Sequence, residues 1–169
     1  GWGARDDAWG NLILEAETPA MDQLHREWPT TRLQAAGAEI VDACAGSGLQ
    51  QYRALEAGAA IINDISALRY DPEMTGVAAE SGVPVILMHM LGTPQTMQVT
   101  PAYHDVVAEI GAFLAQVVNQ AEKDGIAHDR IIIDPGIGFG KTVDHNLLLI
   151  KNLARLKEMD LPILIGPSR

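Results

Sequence analysis

Four short runs of aliphatic and β-branched residues constrain this chain more than anything else in it: "AAIINDI" (59 to 65), "VPVILMHM" (83 to 90), "RIIIDPG" (130 to 136) and "LPILIGPS" (161 to 168). None alternates apolar with polar, as a strand with one wet face would. Each therefore reads as a strand covered on both sides, the condition of a parallel sheet flanked by helices. The intervening segments have helical spacing. From 105 to 123, Val106, Val107, Ile110, Phe113, Leu114, Val117, Val118 and Ala121 recur on one stripe, with Asp105 placed to cap the start and Gly125 to stop the helix. A second helix is expected from about 144 to 158 with Asp144 at its cap, and a shorter one from about 71 to 81 with Asp71 as cap and Pro72 in the first turn.

Repeated β-α units imply parallel strands and right-handed crossovers. A doubly wound open sheet and part of an eight-stranded barrel both satisfy this. Polar residues stand where each run finishes: Asn63 and Asp64, then His89, then Asp134, then Ser168 and Arg169. Side chains at the end of nearly every strand favour a barrel mouth. The expected fold is α/β, a (β/α)8 TIM barrel, partial as given, with about five β-α units. "AAGAEIVDACAGS" (35 to 47) weakly echoes "EAGAAIINDISAL" (56 to 68), so 35 to 169 is assigned to the barrel portion. Residues 1 to 34 scatter Trp2, Trp9 and Trp28 among charges without a dominant period and are left unassigned.

Composition narrows the function classes. With 169 residues, 47% of them hydrophobic, the chain can bury the core of one domain. A formal charge of -10 opposes nucleic acid or acidic membranes as partners of the general surface. Any anionic ligand must be met by locally placed cations. The single cysteine, Cys44, allows no internal disulfide, the first residues show no signal-peptide pattern, and no apolar run reaches membrane-spanning length. The expected location is the cytoplasm.

The stretch "IIIDPGIGFGKT" (131 to 142) invites comparison with a phosphate loop. Counting back from Gly140, Lys141 and Thr142 puts Pro135 where a Walker-type loop needs glycine, and Gly136, Gly138 and Gly140 miss the dinucleotide spacing as well. Asp134 would also repel a phosphate at the strand end. A carboxylate there suits a donor-rich partner, such as an amino-pyrimidine edge with two adjacent N–H groups. Asn63, which both donates and accepts, suits the same heterocycle, although the pattern alone favours Asn63 and Asp64 as caps of the loop after their strand. His89 reads more readily as a structural hydrogen-bonder than as a base. Alternation lets only one set of the side chains around Met88 and Met90 face a pocket. Lys141 reads as solvated or salt-bridged rather than anion-binding, and Asp144, His145 and Asn146 as a helix start rather than a metal site.

"INDISAL" (62 to 68), "PVILMHMLGTPQTMQ" (84 to 98), "IIIDPGIGFGKTVDHNLLLIKNL" (131 to 153) and "LPILIGPSR" (161 to 169) occur in an order and at a spacing that resemble the dihydropteroate synthase family. The resemblance implies a barrel that joins 6-hydroxymethyl-7,8-dihydropterin pyrophosphate to para-aminobenzoate, giving 7,8-dihydropteroate and pyrophosphate for folate synthesis. It implies Mg2+ with the pyrophosphate, competition by sulfonamides, and a homodimer for the complete protein. Carried over by motif, Asn63 and Asp134 would hydrogen-bond the pterin edge and serve the catalysis. Ile65 and Met88 would pack on the ring, and Gly166 would allow close backbone approach. Phe139 would lie beside the aminobenzoate, with Ser168 and Arg169 completing the substrate contacts.

The chain departs from that pattern. A first loop reading roughly Asn-Val-Thr-Pro-Asp-Ser-Phe, whose asparagine meets the metal, has no counterpart in residues 1 to 58, so the metal ligands are unknown. The strand reading Ser-Val-Asp-Thr, with a further pterin-contacting aspartate, is expected to be reduced to "TTR" (30 to 32) without its acid. The chain stops at Arg169, before the family's lysine. The expectation is a barrel incomplete at both ends, with a non-catalytic relative that at most binds pterin as the alternative.

Overall fold

The computed structural model describes residues 39–42, 55–56 and 58–166. Its elements run β1 (Glu39–Asp42), β2 (Ala59–Asp64), α1 (Met74–Ser81), β3 (Val85–Met88), α2 (Val106–Lys123), β4 (Ile131–Asp134) and α3 (Val143–Lys151), with 3-10 turns at His128–Arg130 and Leu153–Met159. All four strands are parallel, and their spatial order is β1-β2-β3-β4. A doubly wound sheet reverses its strand order at a switch point. No reversal occurs among the described strands, so each is laid beside its predecessor as in a barrel. The run at 161 to 168 contributes a bridge from Ile163 to Ile133, with Leu164 N–H donating to the Ile133 carbonyl at 2.8 Å, and so extends the same order by one more segment.

Register divides the sheet into two faces. Ile62, Val85 and Ile131 share one level, and Leu87 and Ile133 share the next. These five side chains are buried in the main core with Ile110, Leu114 and Val118 of α2. The interleaved residues Asn63, Ile86 and Ile132, then Met88 and Asp134, form the opposite, inner face.

The longest helix forms as its sequence dictates. Asp105 lies in extended backbone, and its Oδ1 accepts from Val107 and Ala108 N–H at 3.1 and 3.0 Å, while Glu109 Oε1 reaches back to His104 and Asp105 N–H. The buried stripe Val106, Val107, Ile110, Leu114, Val118, Ala121 follows the helical period. Gly125, at φ +99°, turns the chain away.

The other two helices start differently from expectation. Thr142, not Asp144, caps α3: its hydroxyl accepts from His145 N–H while the His145 ring accepts from Thr142 N–H, and Asp144 falls within the first turn. The α-helix also ends at Lys151 and tightens into the 3-10 turn that the spacing alone does not distinguish. In α1 the cap position belongs to Glu73, and Asp71 instead holds the preceding turn by accepting from Glu73 N–H at 2.9 Å.

Candidate site at the strand ends

The inner face ends in polar groups. Asp134 is the last residue of β4, in register with Met88, and Asn63 lies one level deeper on β2. Asp134 is 6% exposed, and its Oδ1 accepts from Gly136 N–H at 2.7 Å. Its other oxygen and the Asn63 amide make no hydrogen bond to any described residue. Burial pushes the Asp134 carboxyl up to about 6, against the pull of the Gly136 N–H and the nearby Lys141 charge. A buried carboxylate with an unused oxygen is costly without a partner. It is placed to receive a donor.

Asn63 and its neighbour divide the two roles weighed for them. Asp64 builds the turn after β2, accepting from Ser66 N–H and Leu68 N–H, both at 2.7 Å. Asn63 takes no part in that turn. Beyond it, Ile65, Met88 and Met90 are buried in a small apolar cluster separate from the main core, with Met97 and Phe139 packed against it. Thus Ile65 and Met88, which the resemblance assigns to the pterin ring, come together with Phe139, which it assigns to the aminobenzoate. His89 points away from this cluster and meets the Phe113 ring edge-on at 4.9 Å.

Two glycines of this loop, Gly136 and Gly140, serve packing. At Gly136 (φ +67°) an added Cβ would lie 2.0 Å from the His89 carbonyl oxygen, and at Gly140 (φ +69°) 2.6 Å from Leu91 Cβ. The loop is thereby seated on the exit of β3. Gln98 Nε2 donates to the Gly138 carbonyl at 2.6 Å, Tyr103 O–H to the Gly140 carbonyl at 2.9 Å, and Gly138 N–H to Asn146 Oδ1 at 3.0 Å. This fixes Phe139 beside the strand ends.

Lys141 is neither solvated nor salt-bridged, contrary to expectation. It is 4% exposed, and its Nζ donates to the Gly136 and Phe139 carbonyls, both at 2.9 Å, and to His89 Nδ1 at 3.0 Å. Burial brings its ammonium down to about 7, partly offset by Asp134. His89 is held neutral, down to about 3, by burial and then by the charges of Lys141 and Arg69, which leaves its Nδ1 free to accept. It is the structural hydrogen-bonder expected.

Two assigned residues, Ser168 and Arg169, lie outside the described residues, as do residues 1 to 34 and "TTR". Gly166 is exposed, and a Cβ there would meet nothing within 4 Å, so protein packing does not demand glycine at that position. One acid was missed. The strand preceding β2 is "EIVD" (39 to 42), and its last residue, Asp42, is in register with Asn63. The signal was available: "IVD", like "IIID", is a β-branched run closing on an acid. The strand beside β2 is Glu39–Asp42 and ends in an aspartate, while "TTR" lies outside the described residues. Among the described residues no three His, Cys, Asp or Glu side chains converge to hold a metal ion.

Consecutively ordered parallel strands, a helix-covered outer face and a polar inner face at the carboxyl ends define a portion of a (β/α)8 barrel with a candidate site at its mouth. The comparisons with known proteins agree and go further. Residues 50–169 match the model of the pterin binding enzyme family, and the chain belongs to that family. It is 45% identical over 117 residues to dihydropteroate synthase of Synechocystis, covering 69% of this chain and 40% of that protein. It is 39% identical over 157 residues to the Escherichia coli K12 dihydropteroate synthase, covering 91% of this chain and 55% of that one. Among solved structures, dihydropteroate synthase from Xanthomonas albilineans in complex with 7,8-dihydropteroate superposes with a TM-score of 0.68 at 41% identity, over 76% of this chain and 45% of that chain. The chain thus spans about half the length of these relatives.

Proposed function

We propose that this chain carries the pterin-reading strands of a dihydropteroate synthase, a transferase of folate biosynthesis. The observation that carries the proposal is Asp134: a buried strand-end carboxylate with one oxygen unused, on the same inner face as the unbonded amide of Asn63 two strands away and next to the apolar cluster of Ile65, Met88 and Phe139. A pterin edge offers adjacent N–H donors to the carboxylate and a donor–acceptor mixture to the amide, while its flat ring suits Ile65 and Met88. The 7,8-dihydropteroate held by the Xanthomonas relative is a ligand of that kind.

In the proposed reaction the bond between the pterin methylene carbon and the pyrophosphate oxygen breaks, and its electron pair leaves with the pyrophosphate. Positive charge spreads into the pterin, where the fixed Asp134 carboxylate stabilises it without reorganising. The arylamine nitrogen of para-aminobenzoate forms the new C–N bond and then loses a proton. Holding the two partners in register supplies much of the remaining advantage. Phe139, anchored by its loop, lies beside the aminobenzoate, where sulfonamides compete, and Gly166, Ser168 and Arg169 complete the substrate contacts. Magnesium with the pyrophosphate, a homodimer of the complete protein and a cytoplasmic location belong to the same proposal. None of the steps above is assigned to the metal.

Titration of the chain with 6-hydroxymethyl-7,8-dihydropterin tests this. Asp134→Ala should weaken binding at least about tenfold, the loss of one charge-assisted pair. Equal affinity of the variant and the parent chain would remove Asp134 from pterin recognition.

A further inference from the structure

Lys141 is a fully enclosed cation that the proposed chemistry does not use. Its three short contacts are all to groups that shape the site. The Gly136 carbonyl belongs to the residue whose N–H binds Asp134, the Phe139 carbonyl to the residue beside the second substrate, and His89 to the exit of β3. The backbone already joins these places, since His89 N–H donates to the Asp134 carbonyl at 2.9 Å. No described carboxylate lies within ion-pair distance of Lys141, so its charge is directed by backbone and imidazole instead.

We propose that Lys141 is a positioning residue for Asp134: its ammonium gathers the Gly136 and Phe139 carbonyls under the loop, aims the Gly136 N–H at Asp134, and supplies the positive field that keeps this buried carboxyl ionised. The inference rests on the reading of Asp134 as the pterin-binding carboxylate. A buried charge without a counter-ion in contact is expensive, and a hydrophobic or amide side chain would hold a loop more cheaply. The charge itself is what the site gains. The direction is consistent with the mutual effect of the two groups, each of which favours the other's charged form.

The remaining titratable groups around the cluster do not supply that field. His89 is neutral, and Tyr103, raised to about 12 by burial and then by Glu109, is neutral as well. Arg69 is turned toward the Phe113 ring, 4.9 Å from its centre, and to the Ser66 carbonyl. From α3, His145 meets the Tyr103 ring and caps its own helix.

The test is the titration of Asp134 followed by carbon NMR of its carboxyl in the chain and in two neutral variants. Lys141→Met keeps the length, and Lys141→Gln keeps N–H donors. Ionisation of Asp134 should move upward by about one unit or more in either variant that folds, as expected on losing a nearby opposite charge. An unmoved titration in a folded variant overturns the proposal. The parent chain gives an independent measurement: the Lys141 side-chain carbon next to its nitrogen should respond as Asp134 titrates, and a silent signal overturns the proposal even if both variants unfold. Pterin affinity at pH 6.5 should fall at least about threefold on Lys141→Met, the drop in ionised fraction when a value of about 6 rises by about one unit, and show no further loss when Asp134→Asn is already present. If the parent chain binds no pterin, the reading of Asp134 as a pterin group fails, while the titration still decides the role of Lys141.

Discussion

Replacing Gly136 with alanine should be among the most damaging small changes in this chain. Two terms contribute. At φ +67° any L-residue is in the left-handed region, which costs about 1 to 2 kcal/mol. The added Cβ would also lie 2.0 Å from the His89 carbonyl oxygen and 3.2 Å from Met88 Cγ. That carbonyl cannot swing aside freely, because the His89 N–H is bonded to the Asp134 carbonyl at 2.9 Å and Lys141 Nζ approaches its oxygen at 3.4 Å. Relief requires separating β3 from the loop, an overpacking cost of about 1 to 3 kcal/mol. The expected destabilisation is about 2 to 5 kcal/mol. Gly138 supplies the control: its φ is +86°, but nothing lies within 4 Å of its Cβ position, so Gly138→Ala should cost only the backbone term of about 1 to 2 kcal/mol. Urea unfolding of both variants measures the difference. Equal losses would refute the argument that this loop is glycine-rich because it is seated on β3.

Protonation of Asp134 should make binding pH-dependent. Its folded value of about 6 exceeds the ordinary 3.8, so between those values the native chain holds more protons than the unfolded one, and this group's contribution to stability falls as pH rises through that window. Pterin affinity should run the other way, strengthening as pH rises through about 6 because the donor-rich edge needs the carboxylate, and calorimetric titration from pH 5 to 8 should show this in the parent chain but not in Asp134→Asn. Asp105→Ala should cost about 1 kcal/mol of stability by freeing two N–H groups at the start of α2, without altering pterin affinity; a thermal melt paired with one binding curve checks both.

The parallel sheet and the long helix were legible in the sequence because each follows from a local period, and both are stabilised by the same face of the same residues. The polar strand ends were legible because each closes a β-branched run, although the run alone does not tell Asp64, which builds a turn, from Asn63, which takes no part in it. Asp42 was overlooked because β1 is short: "EIVD" supplies two β-branched residues before its acid, against three in "IIID". The cap of α3 was misplaced by two residues since threonine and aspartate both cap well, and only the reciprocal bond with His145 chooses between them. Lys141 could not have been read correctly from its neighbours in the chain. Three of the four atoms around its nitrogen are backbone carbonyl oxygens, which carry no sequence signature, and the fourth belongs to His89, 52 residues away.

The stagger between Asn63 and Asp134 bears on the shape of what can be bound. Asn63 is level with Ile86 and Ile132, while Asp134 is level with Met88, two residues further along, a rise of ~6.6 Å at the usual ~3.3 Å per parallel-strand residue. The two groups also lie two strands apart. A planar ligand that engages both must therefore lie obliquely across the strands, spanning a diagonal longer than a single six-membered ring. If Asn63 and Asp134 bind one ligand, as proposed, a fused bicycle reaches where a lone pyrimidine falls short, and the register of three strands sets that reach.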